Sequence, residues 1–184
     1  MHMNVEIEFK TRISKEKYET LLEAFSLDGN IFKQTNFYFD TNDLDLNRQA
    51  YVLRIRQKKD IYKLTLKSQN EHGAFEYHVI LSEAQVLDMK KNGFRTRDFF
   101  EQIDYTVYYQ TSLDNYRAST PYEGGTLFLD YCEYCGLTDY EVEFEADHFE
   151  TGLMVWNKFL HRFNITFQQT LRKSERALNC VIQK

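Results

Sequence analysis

Residues 51–81 read YVLRIRQKKDIYKLTLKSQNEHGAFEYHVIL, and this stretch decides the fold. Apolar residues alternate with polar or ionisable ones through most of it. Successive side chains of a strand point to opposite faces, so such alternation predicts strands rather than a helix. Three are expected, over 51–58, 61–69 and 74–81, with turns near Lys59 and Asp60 and across 70–73. Arg54, Arg56, Lys63, Lys67, Glu76 and His78 fall at every second position, and Ile55, Leu64, Leu66 and Tyr77 fall between them. One face of this meander is ionic and the other apolar.

Two further stretches repeat the pattern with the opposite charge. Glu6, Glu8 and Lys10 alternate with Ile7 and Phe9, and Glu141, Glu143 and Glu145 alternate with Val142 and Phe144. Alternation alone fits an antiparallel sheet with a solvated polar face. The sorting of charge argues for more. A solvated face mixes both signs with Ser, Thr and Gln, whereas here acids gather on some strands and bases on others. Like charges in one row repel unless a counter-ion lies between them. Acid rows that need cations and base rows that need anions suggest a site for a metal-bound polyanion.

Working outward, a first strand is expected over 3–12. Ser14 can cap a helix running to Leu27, with Tyr18, Leu21, Leu22 and Phe25 on one side, closed by Asp28 and Gly29. A strand over 31–40 and a polar turn segment to Gln49 follow. Ser82 and Gln85 form a capping box for a helix ending near Asn92 and Gly93. Residues 94–115 are the least readable, with a helical signal at Phe99 to Glu101 and an extended one at Tyr105 to Tyr109. A hairpin is expected from 116–122 and 126–132, turning at Glu123 to Gly125. A strand over 140–146 comes next, then a helix capped by Asp147 that holds Leu153, Val155, Trp156, Phe159 and Leu160. A short helix from about Leu171 ends the chain. About eight strands at short spacing predict an α+β fold, a closed eight-stranded antiparallel barrel with flanking helices. If the helices cover the apolar face, the ionic face lines a charged tunnel with room for one slender ligand. An open sheet with its ionic face in solvent fits the same periodicity.

The chain also resembles a known family. EIEFK at 6–10 matches the ExExK signature of the CYTH superfamily, or triphosphate tunnel metalloenzymes. The later pieces follow in family order: YFDT at 38–41, LRIR at 53–56, KLTLK at 63–67, Glu76, Leu129 with Asp130, EVEFE at 141–145, and KSERA from Lys173. The resemblance spans residues 3–178. It implies a tunnel fold and metal-dependent chemistry on triphosphates. Two departures bear on substrate choice: 94–115 matches no family motif, and Glu175 stands where many relatives carry a basic or neutral residue.

Composition sets the outer limits. A length of 184 residues predicts one domain, residues 1–184. The net charge of -5 speaks against a nucleic-acid partner, since phosphate backbones reward a basic surface. No apolar run approaches the roughly 20 residues that span a bilayer, and the N-terminus enters a strand pattern directly, so no membrane partner and a cytoplasmic location are expected. The protein is expected as a monomer or homodimer. Cys132, Cys135 and Cys180 are too few for a disulfide framework. The CxxC at 132–135 lacks a second pair and sits at a strand end, so it carries no zinc or redox assignment. His78 shares the parity of Glu76 and could border the site.

Displacing a phosphoryl group is largely positioning and charge neutralisation. Arg54 and Arg56 offer planar forks, while Lys10, Lys63 and Lys67 are point charges. The resemblance implies that these five bind the triphosphate, with Arg117 and Lys173 completing the cradle. All-carboxylate clusters suit hard divalent ions, so Mg²⁺ or Mn²⁺ is expected on Glu6, Glu8, Glu141, Glu143 and Glu145. Glu76 and Asp130 match family acids that hold a second metal or the attacking water, and are expected to be catalytic. The expected activity is metal-dependent hydrolysis of inorganic triphosphate or a small organic triphosphate. The alternatives are a class IV adenylate cyclase, converting ATP to cyclic AMP and pyrophosphate, and a non-catalytic polyphosphate or nucleotide-binding module.

Overall fold

A computed structural model describes residues 3–70 and 73–182, excluding the side chains of 3–6, 69–70 and 73–74. The expected 70–73 turn lies partly outside the described residues. The strands are β1 (Met3–Ile13), β2 (Phe32–Asp40), β3 (Tyr51–Lys58), β4 (Ile61–Asn70), β5 (Gly73–Leu81), β6 (Phe94–Arg95), β7 (Thr106–Tyr122), β8 (Gly125–Tyr134) and β9 (Leu137–Ala146). The helices are α1 (Lys15–Ala24), α2 (Asp45–Arg48), α3 (Glu83–Asn92), α4 (Phe149–Arg162) and α5 (Lys173–Ile182). The sheet order is β2-β3-β4-β5-β1-β9-β8-β7-β6, with β2 also pairing β7. The ladders β2–β3, β3–β4, β4–β5, β1–β9, β7–β8 and β8–β9 all run antiparallel. This establishes a mostly antiparallel sheet with flanking helices; closure into a barrel is not established by it.

The chain divides into two compact units. One holds the described residues of Met1–Val5, Gln34–Leu113 and Arg172–Lys184, and the other holds Glu6–Lys33 and Asp114–Leu171. Each has its own apolar core, and in each the core lies on the apolar face that alternation predicted. In the first unit Phe39, Leu53, Ile55, Leu64 and Leu66 of the meander pack with Val86 and Met89 of α3 and with Phe100, Ile103 and Val107. In the second, Leu127, Leu129, Val142 and Phe144 pack with Tyr18, Leu21 and Leu22 of α1 and Trp156 and Phe159 of α4. Each such side chain contributes about 1.5–3 kcal/mol when fully buried.

Local chemistry places the boundaries. Ser14 Oγ accepts from Lys17 N at 3.1 Å, and the Ser82–Gln85 capping box closes as expected. Helix α3 stops at Gly93, whose φ of +75° favours glycine. The extended signals at 105–109 and 116–122 prove to be one 17-residue strand, β7, because nothing between Thr106 and Thr120 breaks a ladder and the only proline stands near its end. The helical signal at 99–101 is displaced to a 3₁₀ turn at Thr96–Asp98. Helix α1 ends at Ala24 rather than Leu27, with a 3₁₀ turn at Asp28–Asn30. Helix α4 is preceded by His148 rather than Asp147, and no side chain caps it. The turn segment 41–49 contains α2, which the sequence pattern missed. Asp40 explains it. Its carboxylate accepts from the backbone N–H groups of Thr41, Leu46 and Asn47 at 2.7, 2.9 and 2.9 Å. The YFDT segment thus has a structural role: burial raises the Asp40 pKa, and the three backbone donors partly offset that.

Candidate anion and metal site

In the second unit, register assembles the acid rows. Glu8 stands opposite Glu145, Lys10 opposite Glu143 and Arg12 opposite Glu141 on the β1–β9 ladder. The β8–β9 ladder sets Asp130 opposite Glu141 and Phe128 opposite Glu143, and the β7–β8 ladder sets Arg117 opposite Asp130. Directly opposed residues share a face, so these side chains all project from one side of the sheet. Asp130, Glu141 and Glu143 are buried, and their carboxylate oxygens lie within 4.8 Å of one another. Three all-oxygen donors at this spacing fit a hard divalent cation, so the residues present suit the expected metal.

The guanidinium of Arg117 binds two of these three acids. Its Nε and Nη2 donate to the two oxygens of Asp130 at 2.7 and 2.6 Å, Nη2 also donates to Glu143, and its Cζ lies 4.2 Å from the centroid of the Phe128 ring. Burial alone would lower the Arg117 pKa. The charges of Asp130 and Glu143 outweigh it and hold the group well above its ordinary value. Arg117, expected among the phosphate ligands, is therefore placed against two acids. Lys10 Nζ lies 3.0 Å from Glu8 Oε1, and Glu145 is exposed at the end of its row. Glu6 belongs to β1, but its side chain lies outside the described residues. Arg12, which shares the parity of Glu6, Glu8 and Lys10, was missed in the sequence reading. It reaches Asp139 at 3.6 Å, and continuing the alternation two residues further would have found it.

In the first unit the ladders build the basic face. Asn36 stands opposite Arg56, Arg56 opposite Lys63, Arg54 opposite Thr65, and Lys67 opposite Glu76. Arg56 Nε donates to Asn36 Oδ1 at 2.9 Å. Arg54 Nη2 donates to Glu76 Oε1 at 3.3 Å, and His78 Nδ1 is 3.9 Å from the same oxygen, so His78 does border Glu76. Glu76 is 4% exposed. Lys173 opens α5, where Glu175 accepts from the Arg172 backbone N–H at 2.9 Å and from its guanidinium at 2.9 Å. Glu175 therefore acts locally at the start of that helix. Asn36 and Gln34, buried on β2, were not among the expected site residues.

Cys132, Cys135 and Cys180 are not joined in disulfides. Cys132 is buried on β8 and its thiol donates to Asn115 Oδ1 at 3.7 Å, while Cys135 sits in the β8–β9 turn at φ +50°. The CxxC thus spans a strand end and a hairpin turn. Among the described residues no helix is long and apolar enough to cross a membrane.

In Bacillus subtilis (strain 168), "Putative triphosphatase YjbK" is 34% identical over 178 residues, 94% of each chain. The crystal structure of a "putative adenylate cyclase" from Bacillus halodurans matches with a TM-score of 0.87 at 31% identity, covering 96% of this chain and 98% of that one. A Hippeastrum protein, "Putative adenylyl cyclase HpAC1", has the same fold, with a TM-score of 0.74 at 24% identity over 95% of each chain. The CYTH domain model matches residues 4–178, and the chain belongs to the CYTH domain family.

Proposed function

We propose that this protein is a divalent-metal-dependent triphosphatase that hydrolyses inorganic triphosphate or a small organic triphosphate, with residues 1–184 acting as one cytoplasmic catalytic domain. Cross-strand register carries the reading. Arg56 faces Lys63, Glu8 faces Glu145, and Asp130 faces Glu141. Like charges directly opposed destabilise a sheet, by up to about 1 kcal/mol a pair. Phosphoryl oxygens at the basic rows of the first unit and a divalent cation at the acid rows of the second would each remove that cost. The eight-stranded barrel with its ionic face inward is part of this proposal and rests on the CYTH family membership. The triphosphatase name of the Bacillus subtilis relative supports the reaction class.

The residues divide by chemistry. Arg54 and Arg56 each offer a planar fork to two phosphoryl oxygens, and Lys10, Lys63, Lys67 and Lys173 add point charges, while the fork of Arg117, also expected in the cradle, is held by Asp130 and Glu143. Glu6, Glu8, Glu141, Glu143 and Glu145 would hold Mg²⁺ or Mn²⁺, alongside Asp130. The bound cation would neutralise charge on the phosphoryl oxygens and favour an attacking water. Glu76 and Asp130 would hold a second cation or that water. Each is oriented by an arginine, Glu76 by Arg54 and Asp130 by Arg117. The test is a substrate panel with Mg²⁺ and Mn²⁺, reading phosphate, pyrophosphate and cyclic AMP release. Phosphate from tripolyphosphate, abolished by EDTA, is expected. Cyclic AMP as the main product from ATP would move the assignment to the cyclase that the Bacillus halodurans neighbour is named for. Full activity in excess EDTA would remove the metal.

A further inference from the structure

Polar atoms taken out of water need partners, and native proteins leave few buried donors unsatisfied. On β2, Asn36 has no exposed surface and Gln34 is 4% exposed, yet Asn36 Nδ2 and Gln34 Nε2 have no hydrogen-bond partner. Arg54 Nε on the neighbouring strand is a third such atom. The orientation of Asn36 is settled by Arg56, whose Nε donates to the amide oxygen. Flipping the amide would set two donors against each other, so the NH₂ group is the one left over. Gln34 lies two residues before Asn36 and shares its face. Across from them run Arg56 and then Lys63.

All three of these atoms are donors, and that identifies the occupant. An N–H group cannot ligate a cation, and an apolar group would leave it unsatisfied. An oxygen acceptor satisfies it, and the flanking Arg54, Arg56, Lys63 and Lys67 select an acceptor that is anionic. Neutral amides suit this place, because another cation beside Arg56 and Lys63 would add repulsion in the empty protein while an amide adds a hydrogen bond without charge. We infer that Gln34 and Asn36 are substrate-binding residues whose amide groups donate to phosphoryl oxygens of the oligophosphate, beside the arginine pair. This rests on the triphosphatase reading above.

The test uses the full-length protein, calorimetric titration with tripolyphosphate and thermal melts, with Ca²⁺ replacing Mg²⁺ to slow turnover. Gln34→Met and Asn36→Leu keep the volume and remove the donor. Each should weaken tripolyphosphate binding about tenfold or more, the worth of a hydrogen bond to a charged acceptor. The unliganded melt of Gln34→Met should stay level or rise, because an unsatisfied donor has gone. Should Asn36→Leu fail to fold through loss of its contact to Arg56, Gln34→Met carries the decision. Variants that bind within twofold of wild type, or whose melt falls while binding persists, show the amides to be structural and overturn the inference alone. A wild-type protein that binds no tripolyphosphate removes the triphosphatase reading, and this inference with it.

Discussion

Replacing Arg117 with Met should be among the most damaging single changes in the second unit. The Arg117 side chain is 13% exposed and its guanidinium pairs with Asp130, whose side chain is 0% exposed, and Glu143, 6% exposed. Met keeps much of the length and removes the charge. Taking one partner out of a buried ion pair costs about 3–5 kcal/mol. Repulsion leads to the same range: carboxylate oxygens within 4.8 Å of one another repel by about 3.5 kcal/mol or more at an effective dielectric of about 20. Equilibrium urea unfolding reads the loss. With a slope of about 2 kcal/mol/M the midpoint should fall by about 2 M. Divalent cation should restore part of the difference, by about 2.7 kcal/mol at a hundredfold excess over its dissociation constant, since it binds only the folded cluster. Adding Asp130→Asn to Arg117→Met should cost less than the sum of the two single changes, because contacting groups are not additive. A loss below about 1 kcal/mol, or strict additivity in the double variant, would refute the account of Arg117 as the shared counter-ion.

Three further outcomes are expected. Glu8→Gln preserves shape and removes a charge, so turnover should fall on the order of 10²-fold with an unchanged melt, while Glu23→Gln on the exposed side of α1 does nothing; equal behaviour of the two would mean β1 presents only solvated surface. Gly93→Ala would put a Cβ against the Val107 carbonyl oxygen and the Tyr108 ring at a φ of +75°, so urea unfolding should show a loss of about 1–3 kcal/mol or more, and a neutral result would contradict the α3–β7 geometry. Burial raises the Tyr18 pKa from 10.0 to about 12, and its hydroxyl has no hydrogen-bond partner. The folded state therefore favours the neutral phenol: that stability is fully present below pH 10.0 and is lost as pH rises toward about 12. Tyr18→Phe should match or exceed wild type near neutral pH and resist alkaline unfolding better, measured by denaturant titration at each pH; parallel pH curves would dismiss Tyr18 as the source.

Much of the fold was legible because a two-residue period is a local property. The meander of β3, β4 and β5, the capping box of α3, and both apolar faces follow from side-chain alternation and short-range hydrogen bonding, and the structure places them within a residue or two. What was illegible depended on distant partners. Helix α2 forms because the Asp40 carboxylate reaches up to seven residues ahead to hold its N–H groups, and no periodicity reports that. The continuity of β7 across 106–122 depends on the strands that pair with it, not on its own mixed composition.

The site divides the same way. The sequence alone determined which residues are ionic, that they share faces, and that acids and bases are sorted by strand, because parity along a strand sets the direction of every side chain. Only the tertiary structure decided who meets whom. Register brings Asp130 to Glu141 and Arg117 to both Asp130 and Glu143, across separations of up to 26 residues. It also leaves the buried amides of Gln34 and Asn36 on the basic face, where a neutral side chain carries no charge signal to be read in advance. The physical reason is that charge and parity are written residue by residue, whereas burial and hydrogen-bond satisfaction belong to pairs that exist only once strands have chosen their neighbours.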